Sequence, residues 1–211
     1  MSVKEKYKTV SKEGTALFVD RKSRFIASVM PVDNEPDAIA YLNEIKSKYP
    51  DARHNVYAYV IDENNIFRYS DDGEPSGTAG MPVLDAIRKS GIVDVVVVIT
   101  RYFGGTLLGT GGLVHAYGTT ASEGLKDACI VIRELCDIVD VCVDYSLLGT
   151  VEHKLRTDGY NIEGVDYTDT VTFKVCSPIH DTDKLISELI DITSGNVKCK
   201  ITDKKYIDKE T

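Results

Sequence analysis

Three carboxylates, Asp71, Asp72 and Glu74, stand within four positions and run directly into Pro75 and Gly77. Mg²⁺ takes one or two such carboxylates together with waters and a substrate phosphate. The stretch is therefore a candidate metal site and, with a phosphate clamp, a candidate hydrolase centre. The same residues also describe an Asp-Gly turn whose carboxylates accept backbone N–H groups. Arg101 offers the complementary charge. It follows the apolar run Val95–Ile99 and opens Tyr102-Phe103-Gly104-Gly105. A guanidinium there forks onto a phosphate or carboxylate, or clamps the acidic loop by pairing with Asp71, Asp72 or Glu74. Tyr102 and Phe103 either stack on a base or enter the core.

Ten of the 16 glycines fall between Gly73 and Gly118. Two glycine-rich loops follow strand-like runs and open helix-like ones, so each presents helix N-terminal N–H groups, which form anion sites. The candidate ligand-binding set is Thr78, Gly80, Arg101, Tyr102, Gly104, Gly105, Gly109, Gly111, Gly112 and His115. The opposing reading is that the glycines permit close packing. No standard nucleotide fingerprint is present: Gly104 and Gly109 have Walker spacing but the lysine is missing, and the dinucleotide pattern lacks its third glycine. A Cys-His nucleophile pair of Cys129 and His115 fails on distance, since 14 residues of helix separate them by about 21 Å.

The elements that must position these groups follow from periodicity. Pro82 belongs in the first turn of a helix starting near Gly80, with Val83, Leu84 and Ile87 on its buried side. Val95–Ile99 is apolar at every position, as in a strand covered on both faces. A second helix runs from about Gly112 to Ala128, burying Leu113, Ala116, Tyr117, Thr120, Ala121 and Leu125, with His115 in its first turn. Residues 1–12 read as a loosely held lead-in. A hairpin turning at residues 20–24 follows, then a helix capped by Asn34 with Ile39, Leu42 and Ile45 as its stripe. Strands at 54–61 and 66–70 lead into the acidic loop. Beyond residue 136 the order is strand 138–144, helix 146–157, strand 161–167, strand 170–176, helix 181–192, strand 197–201. This is the split βαββαβ pattern of ferredoxin-like domains. The fold class is therefore α+β in two domains, 1–135 and 136–211.

Composition sets outer limits. Hydrophobic residues make up 43% and charged residues 27% of the 211-residue chain, and its net charge is −8. That charge argues against a general nucleic-acid coat. It is uneven, −2 over residues 1–136 and −6 over 137–211. No signal segment or membrane-length apolar run is evident. Five cysteines without a Cys-x-x-Cys pair fit reduced thiols in a cytoplasmic protein.

The runs Tyr69-Ser-Asp-Asp-Gly-Glu-Pro-Ser-Gly-Thr-Ala-Gly80 and Thr100-Arg-Tyr-Phe-Gly-Gly-Thr-Leu-Leu-Gly-Thr-Gly-Gly-Leu-Val-His-Ala-Tyr-Gly118 resemble the signature of the Impact family, in its bacterial YigZ-type branch. The resemblance covers nearly the whole chain. It implies an N-terminal α+β domain like that of a ribosomal protein and a C-terminal ferredoxin-like domain similar to the last domain of elongation factor G. It also implies, for eukaryotic relatives, control of translation by opposing an amino-acid-starvation kinase through its activator. For bacterial members it implies nucleic-acid or ribosome association. A peptidase label borne by some similar sequences finds no support in these residues. The position of His115 often carries Lys or Arg in the family, and a neutral His there weakens phosphate binding.

The expectation is a cytoplasmic, non-enzymatic binding protein in translation or its regulation, gripping RNA, the ribosome or an anionic ligand at the glycine-rich loops. It needs no cofactor, Mg²⁺ excepted, and no membrane. The alternatives are a metal-dependent hydrolase built on Asp71, Asp72 and Glu74, and a protein-docking module using the acidic second domain. Oligomeric state stays open.

Overall fold

The computed structural model describes residues 4–210. The chain divides into two compact units, Tyr7–Ile132, and Arg133–Asp208 with the N-terminal residues up to Lys6. Strand β1 (Lys6–Val10) is followed by the hairpin β2 (Gly14–Asp20) and β3 (Ser23–Pro31). Helix α1 (Glu35–Lys48), strands β4 (His54–Ile61) and β5 (Ile66–Ser70), helix α2 (Gly80–Ser90), strand β6 (Val95–Tyr102) and helix α3 (Gly109–Asp127) complete the first unit's elements. The long strand β7 (Ile130–Val143) leads into helix α4 (Leu148–Thr157), strands β8 (Asn161–Tyr167) and β9 (Val171–Pro178), helix α5 (Thr182–Ile192) and strand β10 (Val197–Glu210).

The first unit is an antiparallel sheet in the order β2-β3-β6-β4-β5. Its central strand β6 shows why Val95–Ile99 carries no polar position. Val95, Val97 and Ile99 face the core built with α2 and α3, while Val96 and Val98 face the core built with α1. Alternation of side chains along a strand sends odd and even positions to opposite faces, and both are covered. The β2–β3 hairpin turns on Arg21 and Lys22, both at positive φ (44° and 66°), which matches a primed two-residue turn. Asn34 caps α1 by accepting the Asp37 N–H at 2.9 Å. The buried stripe of α1 is Ala38, Tyr41, Leu42 and Ile45, whereas Ile39 is 45% exposed. Ile39 thus does not join the stripe as expected, because the helix turns toward the sheet on the i, i+3, i+4, i+7 line that begins one residue earlier.

In the second unit β9 lies between β7 and β8, and β10 pairs with the other side of β7. With α4 and α5 covering the sheet through Val151, Leu155, Leu185 and Leu189, this is the ferredoxin-like arrangement. Three boundaries differ from expectation. Lys6–Val10 is a strand hydrogen-bonded to β7, not a loose lead-in, and its Thr9 and Val10 are fully buried; Met1–Val3 lie outside the described residues. The other two differences are the early start of β7 and the extension of β10 to Glu210. Charged residues there mask the strand pattern, and ion pairs explain their presence: Glu134 with Lys6 at 3.3 Å, Asp137 with Lys204 at 3.5 Å, and Arg133 with Asp208 at 2.8 Å. No helix among the described residues is long and apolar enough to cross a membrane.

Candidate functional site

The acidic loop serves three separate structural purposes. The Asp71 carboxylate accepts the N–H groups of Gly77 (2.8 Å), Ala79 (3.0 Å) and Gly80 (2.8 Å) and so caps α2 from outside the helix. Asp72 adopts a positive φ of 43° and accepts the Asn55 N–H at 2.6 Å, while its carbonyl accepts from His54 Nδ1 at 2.8 Å. Glu74 turns inward. Its Oε1 receives Arg101 Nη1 at 2.5 Å and the Tyr117 hydroxyl at 2.8 Å. Burial, and then the Glu74 charge, raise the Tyr117 phenol far above its ordinary range, so it stays a donor. Of the pairings open to Arg101, the structure forms the one with Glu74. No group of three or more His, Cys, Asp or Glu side chains suited to a metal ion occurs among the described residues.

Arg101 is the penultimate residue of β6 and is only 6% exposed. Its guanidinium carbon lies 5.3 Å from the ring centre of Phe25 and 5.8 Å from that of Phe103. With Nη1 committed to Glu74, its Nε remains buried without a hydrogen-bond partner. Strand register places His54 of β4 directly opposite Arg101, on the face that also carries α3. Because a carbonyl can only accept, the bond to Asp72 fixes the proton of a neutral His54 on Nδ1 and leaves Nε2 as an acceptor.

These groups border a cleft of about 450 Å³, a size usual for small-molecule sites. Arg53, His54, Glu74 and Arg101 line one side. Phe103, Leu107, Leu108, Leu113 and Pro75 supply an apolar wall, and Gly109 and Thr110 bring the start of α3 to its edge. No side chain caps α3. The first N–H groups of a helix have no acceptor within it, so Gly109, Thr110 and Gly111 turn unsatisfied donors outward.

The glycines divide by cause. At Gly104 a Cβ would lie 2.1 Å from the Lys22 carbonyl carbon, and at Gly80 it would lie 2.7 Å from the Ser70 backbone. Both are packing glycines, and Gly104 ties its loop to the β2–β3 turn by donating to Ser23 Oγ at 3.1 Å. Gly109 has φ +72°. Gly111 has neither excuse: it lies within the helix at ordinary φ, and a Cβ would meet nothing within 4 Å.

The remaining members of the sequence-derived set lie elsewhere. Thr78 is buried and donates to the Pro75 carbonyl at 2.7 Å. Tyr102 occupies the position after Arg101 and so faces the other side of the sheet, with Arg24 above its ring at 5.7 Å. Gly105 has φ +85°, and a Cβ at Gly112 would touch the Leu108 side chain at 3.0 Å. His115 stands in the second turn of α3, not the first as expected, because the helix begins at Gly109 rather than Gly112; it is exposed, edge-on to Phe18 at 6.0 Å, on the groove between α2 and α3. Arg53, His54 and the leucine wall are absent from the expected set. Arg53 and His54 reach Arg101 only through the pairing of β4 with β6, which residues 62–94 separate in the chain, whereas Leu107, Leu108 and Leu113 lie in the second glycine loop and the start of α3 itself.

Comparison with known proteins places these features in a family. Residues 21–125 match the Impact N-terminal domain, and residues 141–196 match a domain of unknown function, DUF1949. The chain is 38% identical over 204 residues to IMPACT family member YvyE of Bacillus subtilis (strain 168), covering 96% of this chain and 94% of that one. It is 33% identical to IMPACT family member YigZ of Escherichia coli (strain K12), over 84% of this chain and 89% of that one. A crystal structure of a hypothetical protein superposes with a TM-score of 0.60 at 30% identity, covering 95% of this chain and 99% of that one. The carboxylate cap, the Arg101–Glu74 pair and the open start of α3 all fall within the segment matching the Impact N-terminal domain, and with relatives this similar over nearly their whole length the chain belongs to the IMPACT family.

Proposed function

We propose that this chain is a non-enzymatic, cytoplasmic binding protein acting in translation or its regulation, and that it grips an anionic or RNA-like partner at the cleft between β6 and the start of α3. The observation that carries this reading is Arg101, held nearly buried with an unpartnered Nε beside uncapped helix N–H groups. A cation aligned with the positive end of a helix dipole favours an anion. Family membership adds support, since similar chains include the Protein IMPACT homolog of Dictyostelium discoideum, 38% identical over 106 residues, 48% of this chain and 30% of that one.

The test is binding of purified ribosomes, an RNA hairpin and a nucleotide panel at low and physiological salt, with the exposed Arg53→Ala beside Arg101→Ala. Salt-sensitive binding weakened by both substitutions supports the reading. Absence of binding to every probe overturns it.

A further inference from the structure

We propose that the group this cleft recognises is a carboxylate carried on an apolar body, the chemistry shared by the C-terminus of a polypeptide ending in an aliphatic residue and by a free branched acid. This rests on the cleft being a binding site and names the class of its ligand.

Four observations converge. The first is the geometry of Arg101. Glu74 occupies Nη1, and the unpartnered Nε lies on the other edge of the guanidinium, the Nε–Nη2 edge. That edge presents two parallel donors, the fork that matches both oxygens of a carboxylate. The second is charge. Two arginines against one glutamate leave the cleft with a single excess positive charge when His54 is neutral, enough for one carboxylate. A phosphate monoester carries about two charges, and an RNA strand needs a basic track continuing along its backbone.

The third is the wall. Beyond Arg101 the cleft continues into Leu107, 81% exposed, and Phe103, 51% exposed, with Leu113 behind them. An aliphatic side chain next to the carboxylate covers these surfaces, whereas a ribose-phosphate chain leaves them wet. The fourth is the start of α3. Gly109 and Thr110 line the cleft, no side chain caps the helix, and their N–H groups have no acceptor within it, so a ligand oxygen can take them.

The experiment is calorimetric titration of the whole protein with N-acetyl-alanyl-leucine and with its C-terminal amide. N-acetyl-leucine, a short oligouridine and inorganic phosphate are titrated in parallel. Proton–nitrogen correlation spectra follow the amides of Gly109 and Thr110. The free acid is expected to bind and to shift both amides, and the amide to bind at least about ten-fold more weakly, the loss of one charged hydrogen-bonded contact. Because replacing Arg101 endangers the buried pair with Glu74, the variants are Leu107→Asp and Arg53→Ala, both at exposed positions that line the cleft. Each is expected to weaken the acid at least about ten-fold with the fold intact. Tighter binding of the dipeptide than of N-acetyl-leucine identifies a peptide C-terminus as the source; equal binding identifies a free acid.

Equal affinity for acid and amide overturns the proposal, as does full binding by both variants. Binding of oligouridine or phosphate with none of the carboxylates overturns it while leaving the broader anion-binding reading intact. Failure of every probe overturns both.

Discussion

Replacing Gly111 by alanine tests the packing of α3 at a position that no neighbouring atom constrains. Gly111 is the third residue of the helix, and an added Cβ meets no atom of the protein within 4 Å. The substitution therefore removes backbone freedom from the unfolded chain without a steric penalty in the folded one, a gain of about 0.5–1 kcal/mol. For a chain of this size that raises the unfolding midpoint by about 1–4 °C. Thermal unfolding followed by circular dichroism reads the shift, and Gly104→Ala provides the opposite case. There the Cβ would lie 2.1 Å from the Lys22 carbonyl carbon and 2.2 Å from the Ser23 nitrogen. Neither backbone atom can swing aside as a side chain would, and the expected loss is about 3 kcal/mol. A destabilised Gly111→Ala, or two variants that change in the same direction, would refute the division of these glycines into packing and open positions.

The other predictions concern the supports of the site. Glu74→Gln strips the counter-charge from a guanidinium that is 6% exposed, and urea titration should show a loss of about 3–5 kcal/mol. Tyr117→Phe, which leaves that pair in place, should cost only about 1–2 kcal/mol; equal losses would show that the phenol, not the ion pair, holds Glu74. Asp71→Ala deprives three N–H groups at the start of α2 of their acceptor and should cost about 2 kcal/mol, with Asp71→Asn recovering part of it. In the second unit, burial and then the neighbouring Cys136 push the Cys176 thiol up from 9.0 to about 12. The unfolded thiol ionises first, so the unfolded state holds fewer protons above that lower value and stability falls as pH rises from about 9 to 12. Urea midpoints for wild type and Cys176→Ala should therefore keep a constant difference below this window and shift within it in favour of the alanine variant. A constant difference throughout would show that the thiol is not held protonated.

Periodicity and turn chemistry were enough to read the elements. The glycine-free, both-faces-apolar run at Val95–Ile99, the Pro82 start of α2, the Asn34 cap and the βαββαβ order after residue 136 are all local signals, each set by geometry within a few residues. Local reasoning failed where a distant partner decides the outcome. Lys6–Val10 and the charged stretches of β7 and β10 look like linker or tail because their strand pairing and counter-ions come from elsewhere in the chain.

The site divides in the same way. Its signature is legible as composition: an acidic loop, an arginine at a strand end and two clusters of glycine. What each residue does there is not. The capture of Asp71 by α2 is local, but the choice of Glu74 for Arg101 and the arrival of His54 opposite Arg101 depend on segments tens of residues apart meeting in the right register. A one-residue slip between β4 and β6 would turn His54 and Arg101 to opposite faces of the sheet. Sequence thus determined which groups are available and which elements carry them. Only tertiary structure decided which groups meet, because desolvation, the hydrogen bonds each acid accepts and the room left by an absent Cβ exist only once the strands and helices have packed.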